Sequence, residues 1–552
     1  MKNSFRSIII VLVFYFTGIV GAISQSHNNF EISKSLDIYA TVLRELNLNY
    51  VDDIRAGELN QIAIDAMLNS LDPYTVFVPE SQIEDFQLMT TGEYGGIGSL
   101  IQQIGEHIYI SEPYEGFPAH KAGLKAGDRI LEVNGLDTKG KTSSEISELL
   151  KGQPGTSIQM LIEREGEPEP VNAELIRERI KIDNIPYQTV FDNDIGYIRL
   201  TGFTQKAAAE VKKVFLDMKN EKPELKGLIL DLRGNGGGLL NEAVDITNLF
   251  VDRAEVVVTT KGKAMDRTVV HRTRHPITDA DIPLAVLVNE NSASASEIVA
   301  GALQDYDRAV IIGQRTFGKG LVQNVLPLTY NTQMKVTVAQ YYIPSGRGIQ
   351  AIDYKHRNIN GGKIPDSLIS SFRTRNNRVV YDGGGILPDI EIEKREFSQV
   401  SANLYGKNMI FHFANHYARL HDSIEEPENF KITDEVFDDF KRFTAEKGFD
   451  YITESEDAIN RLRSIAEEET YLKAIEPQIM LLEDRLKEYK ANDFEKYRNE
   501  IEEMLLVEIV SRYYFQKGKI IASLRNDHEL EKAFEVLIDA GQYQDLLSKT
   551  TH

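Results

Sequence analysis

The feature that most constrains the fold is the stretch of residues 282–323, where two short apolar runs flank a small-residue helical pattern. The first run, Ile282–Val288, and the second, Ala309–Ile312, each predict a buried strand, and the helix between them should end near Asp305. Short apolar runs that alternate with helices are typical of αβ units over a largely parallel sheet. Because such sheets carry their chemistry at the carboxyl ends of the strands, we expect a site where these runs end.

Candidate catalytic groups follow both runs. Three serines alternate with alanines after the first run, at Ser292, Ser294 and Ser296, and Lys319 stands in a glycine-rich turn after the second. A lysine can activate a serine nucleophile without a histidine. The lysine must then be neutral, and burial favours the neutral form of an amine whose ordinary pKa is about 10.4. We therefore hypothesise a serine–lysine pair, although chemistry alone does not say which serine takes part.

Two other interpretations of these motifs stay open at this point. Ser294 and Glu297 fit a capping box, and taken alone this structural interpretation is favoured over catalysis. The turn from Gly313 to Lys319 fits the G-x-x-x-x-G-K pattern of a phosphate-binding loop. That loop needs Ser or Thr next and then a helix, whereas Gly320 and a strand-like run follow, which argues against a nucleotide site.

A glycine run, residues 234–238, lies between a predicted strand, Leu225–Leu230, and a predicted helix that ends near Phe250. Glycines at the start of a helix leave N–H groups that can bind an anion. The dinucleotide fingerprint G-x-G-x-x-G fails here, because Leu239 occupies its last position. An oxyanion hole uses the same N–H geometry and needs no phosphate.

The composition excludes several function classes. The chain has 552 residues and a formal net charge of −22, and because phosphate binding needs clustered positive charge, nucleic acid is not an expected partner. The absence of cysteine excludes disulfides, a cysteine nucleophile and Cys-ligated metals. The helical pair His412 and His416 lacks the glutamate of the zinc-protease motif, so we expect neither a metal nor a cofactor.

The N-terminus has the three parts of a secretory signal. Lys2 and Arg6 precede an apolar run, Ile8–Val20, and small residues follow it. The pattern predicts export to the periplasm with cleavage after Ser24, and an uncleaved membrane anchor is the alternative.

Residues 92–179 predict a separate β-rich unit. The segment YGGIG opens it, GLKAGDRILEVNG reads as strand, turn and strand, and Thr142–Leu150 reads as a capped helix. This unit resembles a bacterial PDZ domain. The resemblance implies that backbone N–H groups of one loop bind the terminal carboxylate of a peptide, which adds as a strand to the sheet edge. The implied loop residues are Gly95, Gly96, Ile97 and Gly98.

With the PDZ unit, five motifs resemble the carboxy-terminal processing peptidases: DLRGNGGGLL, NENSASASEI, TFGKGLVQ, YIPSGRGIQ and GILPDI. The resemblance spans about residues 35–395. It implies an α/β fold, with a ClpP/crotonase-like αβ protease core, an inserted PDZ domain, and N- and C-terminal helical regions. The resulting domain prediction is a signal peptide at 1–24, a helical region at 25–91, a PDZ domain at 92–179, a serine peptidase core at 180–395 and a helical region at 396–552.

The same resemblance implies roles for individual residues. Ser294 would be the nucleophile, Lys319 the general base and Gln323 the residue that orients the lysine. Glu297 is expected to support the site structurally.

The oxyanion hole implied by the resemblance combines the N–H of Ala295 with one from the glycine run. Gly237 is the first choice and Gly238 the second. The family often has proline where this chain has Gly236, which would loosen the loop when no substrate is bound.

The sequence thus predicts an exported serine endopeptidase that cleaves unstructured, apolar C-terminal tails captured by the PDZ domain. A catalytically silent PDZ scaffold that only binds tails is the alternative. Homodimer formation through the helical regions and an adaptor protein are left open. The polar stretch from Ala351 to Arg378 predicts an exposed loop.

Overall fold

The structure, a computed structural model, describes residues 29–83, 88, 90–263, 268–352, 354 and 369–548. The chain divides into two compact units, Met1–Phe77 and Val78–His552. The first contains helices α1, residues 29–49, and α2, Ala56–Asn69, and strand β1, Val76–Val78, lies at the boundary. The predicted signal peptide falls outside the described residues. Within those ranges, no helix has both the length and the apolar composition that crossing a membrane requires.

The second unit begins with the PDZ domain. Its five-strand path runs β3-β4-β5-β7-β8, with β6 beside β5, so β3 is an edge strand. Thr142 caps helix α4 in a capping box with Glu145, as the sequence predicts. The elements are β2 (Glu93–Gly96), β3 (Ser99–Ile104), β4 (His107–Pro113), α3 (Pro118–Lys121), β5 (Arg129–Val133), β6 (Leu136–Asp137), α4 (Ser143–Leu150), β7 (Ser157–Glu163), β8 (Val171–Ile176) and β9 (Glu178–Lys181).

A six-stranded sheet forms the protease core, in the order β10-β11-β12-β15-β16-β21. Only the β10–β11 pair is antiparallel, so the predicted largely parallel sheet is confirmed. Every residue of β15 is buried, because helices cover both faces of the sheet. Its elements are β10 (Tyr187–Val190), β11 (Ile195–Arg199), α5 (Ala207–Glu221), β12 (Gly227–Asp231), α6 (Leu240–Thr247), β15 (Leu284–Val288), α7 (Ala295–Asp305), β16 (Val310–Gly313) and β21 (Ile390–Glu391).

A second, antiparallel sheet lies beside the core. Its strands include β13 (Val256–Gly262), β14 (Thr268–Arg272), β17 (Leu321–Pro327) and β18 (Gln333–Tyr342). Strand β17 pairs along its whole length with β18, with one register shift between Val322 and Gln323. This hairpin follows the turn of Lys319 and forms one wall of the cleft described below.

The exposed loop predicted from Ala351 to Arg378 is partly wrong. Residues 353 and 355–368 lie outside the described residues, but the rest includes a hairpin of β19 (Ser371–Arg373) and β20 (Val379–Tyr381). Arg378 is buried, and its guanidinium bonds the carboxylates of Asp307 and Asp389. The polar sequence did not indicate that Arg378 is buried, because the carboxylates that neutralise its charge come from other segments of the chain.

The C-terminal region is helical, as expected, and its last two helices belong to the core. Leu530, Val536 and Leu537 pack with Ile229 and Leu287 on one face of the six-stranded sheet. The preceding helices form a core of their own. The helices are α8 (Gln399–Gly406), α9 (Met409–Leu420), α10 (Asp434–Glu446), α11 (Glu454–Glu468), α12 (Leu472–Lys490), α13 (Asp493–Lys496), α14 (Arg498–Ser523), α15 (His528–Ile538) and α16 (Ala540–Ser548).

Candidate active site

The three serines of the SASAS motif have different environments. Ser292 and Ser296 are fully buried, and their hydroxyls donate to the backbone carbonyls of Leu232 and Asn235, each at 2.8 Å. Ser294 is partly exposed and lines a cleft of about 550 Å³. Only Ser294 of the three therefore presents its side chain to a space that a substrate can enter.

The cleft also brings together residues that are distant in sequence. Lys319, Gln323, Gly237, Gly238 and Ala295 all line it with Ser294. The predicted nucleophile, base, orienting residue and oxyanion loop thus share one cavity.

The backbone at Ser294 is strained. Its φ of 57° and ψ of −110° lie outside the regions that L-residues prefer. The next residue begins helix α7, so Ser294 stands at the helix N-terminus. Strain of this kind persists only where the surroundings hold the backbone in place, and it is common at active sites.

Glu297 supplies much of that restraint. Its buried carboxylate accepts the N–H of Ser294 at 2.8 Å, that of Gly318 at 2.7 Å and that of Lys319 at 2.9 Å. It also accepts the hydroxyl of Thr316 at 2.6 Å. Burial is the largest influence on this carboxyl and raises its pKa above the ordinary 4.5, against the hydrogen bonds that lower it. The glutamate predicted as a helix cap therefore also ties the serine to the lysine turn.

The lysine turn is tightly packed. A Cβ added to Gly318 would lie 2.4 Å from the Cβ of Ala351, and one on Gly320 would lie 2.8 Å from the backbone nitrogen of Gln350. Gly318 also has a φ of 86°. Both flanking positions therefore require glycine, which agrees with the close turn that the sequence suggests.

Tyr341 makes a second link between the two loops, one that the sequence analysis missed. Its side chain is 2% exposed, its hydroxyl donates to the carbonyl of Lys319, and it lies 3.1 Å from the carbonyl of Ser294. A tyrosine in a strand gives no local signal of such a contact, because β18 meets these loops only in the folded chain.

The glycine loop packs directly against the serine. A Cβ on Gly237 would lie 2.8 Å from the Cβ of Ser294 and 2.9 Å from the nitrogen of Ala295. The N–H of Gly237 itself donates to Asn235 Oδ1 at 2.9 Å. In the described part of the chain, the N–H groups of Gly238 and Ala295 have no hydrogen-bond acceptor. Of the three predicted donors, these two are available, whereas Gly237 already has a partner.

A buried ionic network supports the glycine loop from behind. Asp231, which is 0% exposed, accepts Arg233 at 2.7 Å, Arg199 at 3.0 Å and the hydroxyl of Tyr197 at 2.6 Å. Burial by itself would raise the pKa of Asp231, but the two arginines hold it at about 2. Arg233 continues to Asp527 at 2.7 Å, which connects the loop to the C-terminal helices.

Gln323 lies in the cleft, and its side-chain hydrogen bond goes to a residue other than the lysine. Its side-chain amide donates to Thr337 Oγ1 at 3.3 Å, across the β17–β18 hairpin, and makes no hydrogen bond to Lys319 within the described residues. The role that the resemblance gives to Gln323 stays a prediction.

The PDZ loop that is predicted to bind a peptide carboxylate leads directly into the edge strand β3. Gly95 and Gly96 belong to β2, which pairs with β9, and Ile97 and Gly98 connect β2 to β3. The N–H groups of Ile97 and Gly98 bond no acceptor among the described residues. Gly98 has a φ of 70°, and a Cβ there would lie 2.4 Å from the Cβ of Phe117. This geometry can receive an anion at the start of β3.

Comparisons with known proteins agree with this architecture. The model of peptidase family S41 matches residues 194–360, a PDZ-domain model matches residues 109–164, and one described as "Probable PDZ-protease, C-terminal helical domain" matches residues 400–537. The carboxy-terminal-processing protease of Bartonella bacilliformis is 38% identical over 337 residues, which cover 60% of this chain and 77% of that protein. The chain belongs to the carboxy-terminal-processing protease family.

Other members of this protease family show more distant similarity. A "Probable CtpA-like serine protease" of Staphylococcus aureus is 33% identical, over 57% of this chain and 62% of its own length. The solved structure of a photosystem II D1 C-terminal processing protease is 30% identical and covers 64% of this chain and 86% of that one, with a TM-score of 0.37. The protein is thus a serine protease with a PDZ domain that binds peptide or protein substrates.

Proposed function

We propose that this protease cleaves C-terminal tails with Ser294 as nucleophile and Lys319 as general base. The observation that carries the proposal is that Ser294, alone of the three serines, faces the cleft that Lys319 also lines. Neutral Lys319 would take the hydroxyl proton as Ser294 attacks the scissile carbonyl, and return it to the leaving amine. The N–H groups of Ala295 and Gly238 would stabilise the tetrahedral oxyanion.

The PDZ domain would select the tail. The N–H groups of Ile97 and Gly98 would bind its terminal carboxylate, and the tail would pair as an added strand with the edge of β3. Apolar, unstructured tails fit this mode, because backbone pairing requires an extended chain. Export by residues 1–24, with a periplasmic location, completes the proposal and is tested by N-terminal sequencing of the protein from a fractionated cell.

Mass spectrometry of a tail substrate tests the catalytic assignment. Wild type should release tail fragments, and Ser294→Ala and Lys319→Ala should release none while they keep the wild-type circular dichroism spectrum. Ser296→Ala is the matched serine control: it should lose stability, since its hydroxyl bonds a buried carbonyl, but still cleave. Equal cleavage by Ser294→Ala and wild type would refute Ser294 as nucleophile. Binding of the tail by the wild type without cleavage would favour a silent scaffold.

A further inference from the structure

A second lysine lines the same cleft and takes no part in the proposed chemistry. Lys335 lies on β18 opposite Val325 of β17. Two residues nearer to Lys319 along β17, Gln323 lies opposite Thr337 and on the same face of the hairpin. Cross-strand partners and residues two apart in a strand share a face. Lys335, Val325 and Gln323 accordingly all line the cleft with Ser294.

The register places Lys335 farther along the cleft than the proposed dyad. Successive same-face residues of a strand are separated by roughly 7 Å, so Lys335 lies about one such step beyond the Gln323–Thr337 pair. A bound extended chain has the same repeat. The lysine is therefore positioned for a substrate residue near the scissile bond and not for the scissile bond itself.

Lys335 has no carboxylate partner among the residues that the structure describes. The side chain is half-buried, and in the ranges that the structure describes it makes no ion pair or hydrogen bond. Burial lowers the pKa of its ammonium group, and no carboxylate in the described part of the chain raises it. A cation that is partly removed from water without a partner costs free energy, which an anionic ligand would recover.

We propose that Lys335 is a specificity-determining residue that binds a carboxylate of the substrate tail within the cleft. This inference rests on the proposed function, since it assumes that the cleft holds the tail. The carboxylate has two sources: an Asp or Glu side chain near the scissile bond, or the terminal carboxylate when the cut falls close to the end of the tail. Arg at this position would preserve the interaction, whereas an uncharged side chain of similar length would abolish it.

The test is a ratio of rates for matched peptides. One cleavable tail is made with Glu or Gln at each position within a few residues of the cut, and each peptide has either a free or an amidated C-terminus. The measured ratio is kcat/KM for the Glu peptide divided by that for the Gln peptide, or for the free terminus divided by that for the amidated one. In wild type we expect one of these ratios to be about tenfold, which equals ~1.4 kcal/mol. The ratio should fall to about one in Lys335→Met and persist in Lys335→Arg. An effect at Glu identifies the side-chain source, and an effect of amidation alone identifies the terminus.

Two controls isolate the lysine. Lys261 lies on β13 of the same sheet, is exposed and does not line the cleft, so Lys261→Met should keep the wild-type ratio. Gly98→Ala should remove any amidation effect that belongs to the PDZ domain. A ratio near one for every wild-type peptide, or an unchanged ratio in Lys335→Met, overturns the proposal.

The proposal can fail separately from the proposed function. Cleavage of the Gln peptides that depends on Ser294 supports the protease assignment whatever the ratio shows. Peptide affinities measured by fluorescence anisotropy on Ser294→Ala, with and without Lys335→Met, test the carboxylate preference without catalysis. Equal affinities of the Glu and Gln peptides, and of the free and amidated forms, on Ser294→Ala would overturn the role of Lys335.

Discussion

The buried carboxylate of Glu297 accepts the backbone N–H of Lys319 at 2.9 Å and, through the same oxygen, that of Ser294 at 2.8 Å. One carboxylate thus sets the separation of the two loops that carry the proposed dyad. A glutamine would present N–H groups toward these donors and leave some of them without an acceptor.

Glu297→Gln should reduce kcat/KM by at least about 100-fold, since a displacement of about 1 Å in a catalytic group has that effect. Steady-state kinetics with a tail peptide measures it. The matched control is Glu290→Gln, a partly exposed glutamate paired with Lys394, which should keep the wild-type kcat/KM and change the free energy of unfolding by no more than about 0.5 kcal/mol. Wild-type kinetics in Glu297→Gln would show that the carboxylate does not position the site.

Gly237→Ala should abolish activity, because its Cβ would lie 2.8 Å from the Cβ of Ser294 and 2.9 Å from the nitrogen of Ala295. Its φ of 101° adds backbone strain. We expect kcat to fall by at least about 100-fold, because this clash would displace the N–H of Ala295, one of the two proposed oxyanion donors. Gly236→Ala is the control, since no atom lies within 4 Å of a Cβ there and its φ is ordinary. Equal kcat in the two variants would contradict the predicted contact.

Lowering the pH should remove the contribution of the ionised Asp231 to the free energy of unfolding. The folded-state pKa of Asp231 is about 2, below its ordinary 3.8. The stabilisation is therefore complete above pH 3.8 and is lost as pH falls through about 2, and a shift of this size is worth about 2 kcal/mol. Urea unfolding of wild type and Asp231→Asn between these pH values measures it. The variant should be less stable by about 3–5 kcal/mol at neutral pH, because Arg199 and Arg233 lose the buried carboxylate that they share, and its stability should fall less in acid.

Gly98→Ala should impair tail capture without changing the chemistry. The new Cβ would clash with Phe117 at 2.4 Å and displace the N–H groups proposed to bind the carboxylate. We expect KM for a free-carboxylate tail to rise about tenfold with kcat nearly unchanged, which corresponds to ~1.4 kcal/mol of binding free energy. Gly105→Ala has similar backbone strain, with a φ of 61° and no atom within 4 Å, and should keep the wild-type KM.

The C-terminal helices should be required for the stability of the core. Leu537 is 4% exposed and packs on the central sheet, so Leu537→Ala should cost about 2–5 kcal/mol of unfolding free energy. Its neighbour Ile538 is 57% exposed, and Ile538→Ala should cost less than about 0.5 kcal/mol. Equal effects in denaturant unfolding would mean that helix α15 does not cover the sheet.

Much of the core could be predicted because its signals are local. The run Ile282–Val288 becomes β15, Leu284–Val288, and the helix predicted to end near Asp305 ends there. Continuous apolar runs identify strands buried on both faces, whatever the rest of the chain does. The stretch before Arg378 could not be predicted in this way, because its burial depends on Asp307 and Asp389.

The sequence alone determined the fold class, the PDZ unit and the candidate set of serine, lysine and glycine loop, because periodicity, glycine spacing and motif order are properties of a chain. Only the tertiary structure separated Ser294 from Ser292 and Ser296, since the other two hydroxyls donate to the backbone carbonyls of Leu232 and Asn235, about 60 residues earlier in the chain. Only the fold, too, joined Glu297 to the lysine turn and placed the last helices on the sheet. Hydrogen bonds and packing between distant segments form only in the folded chain, so no local sequence pattern predicts them.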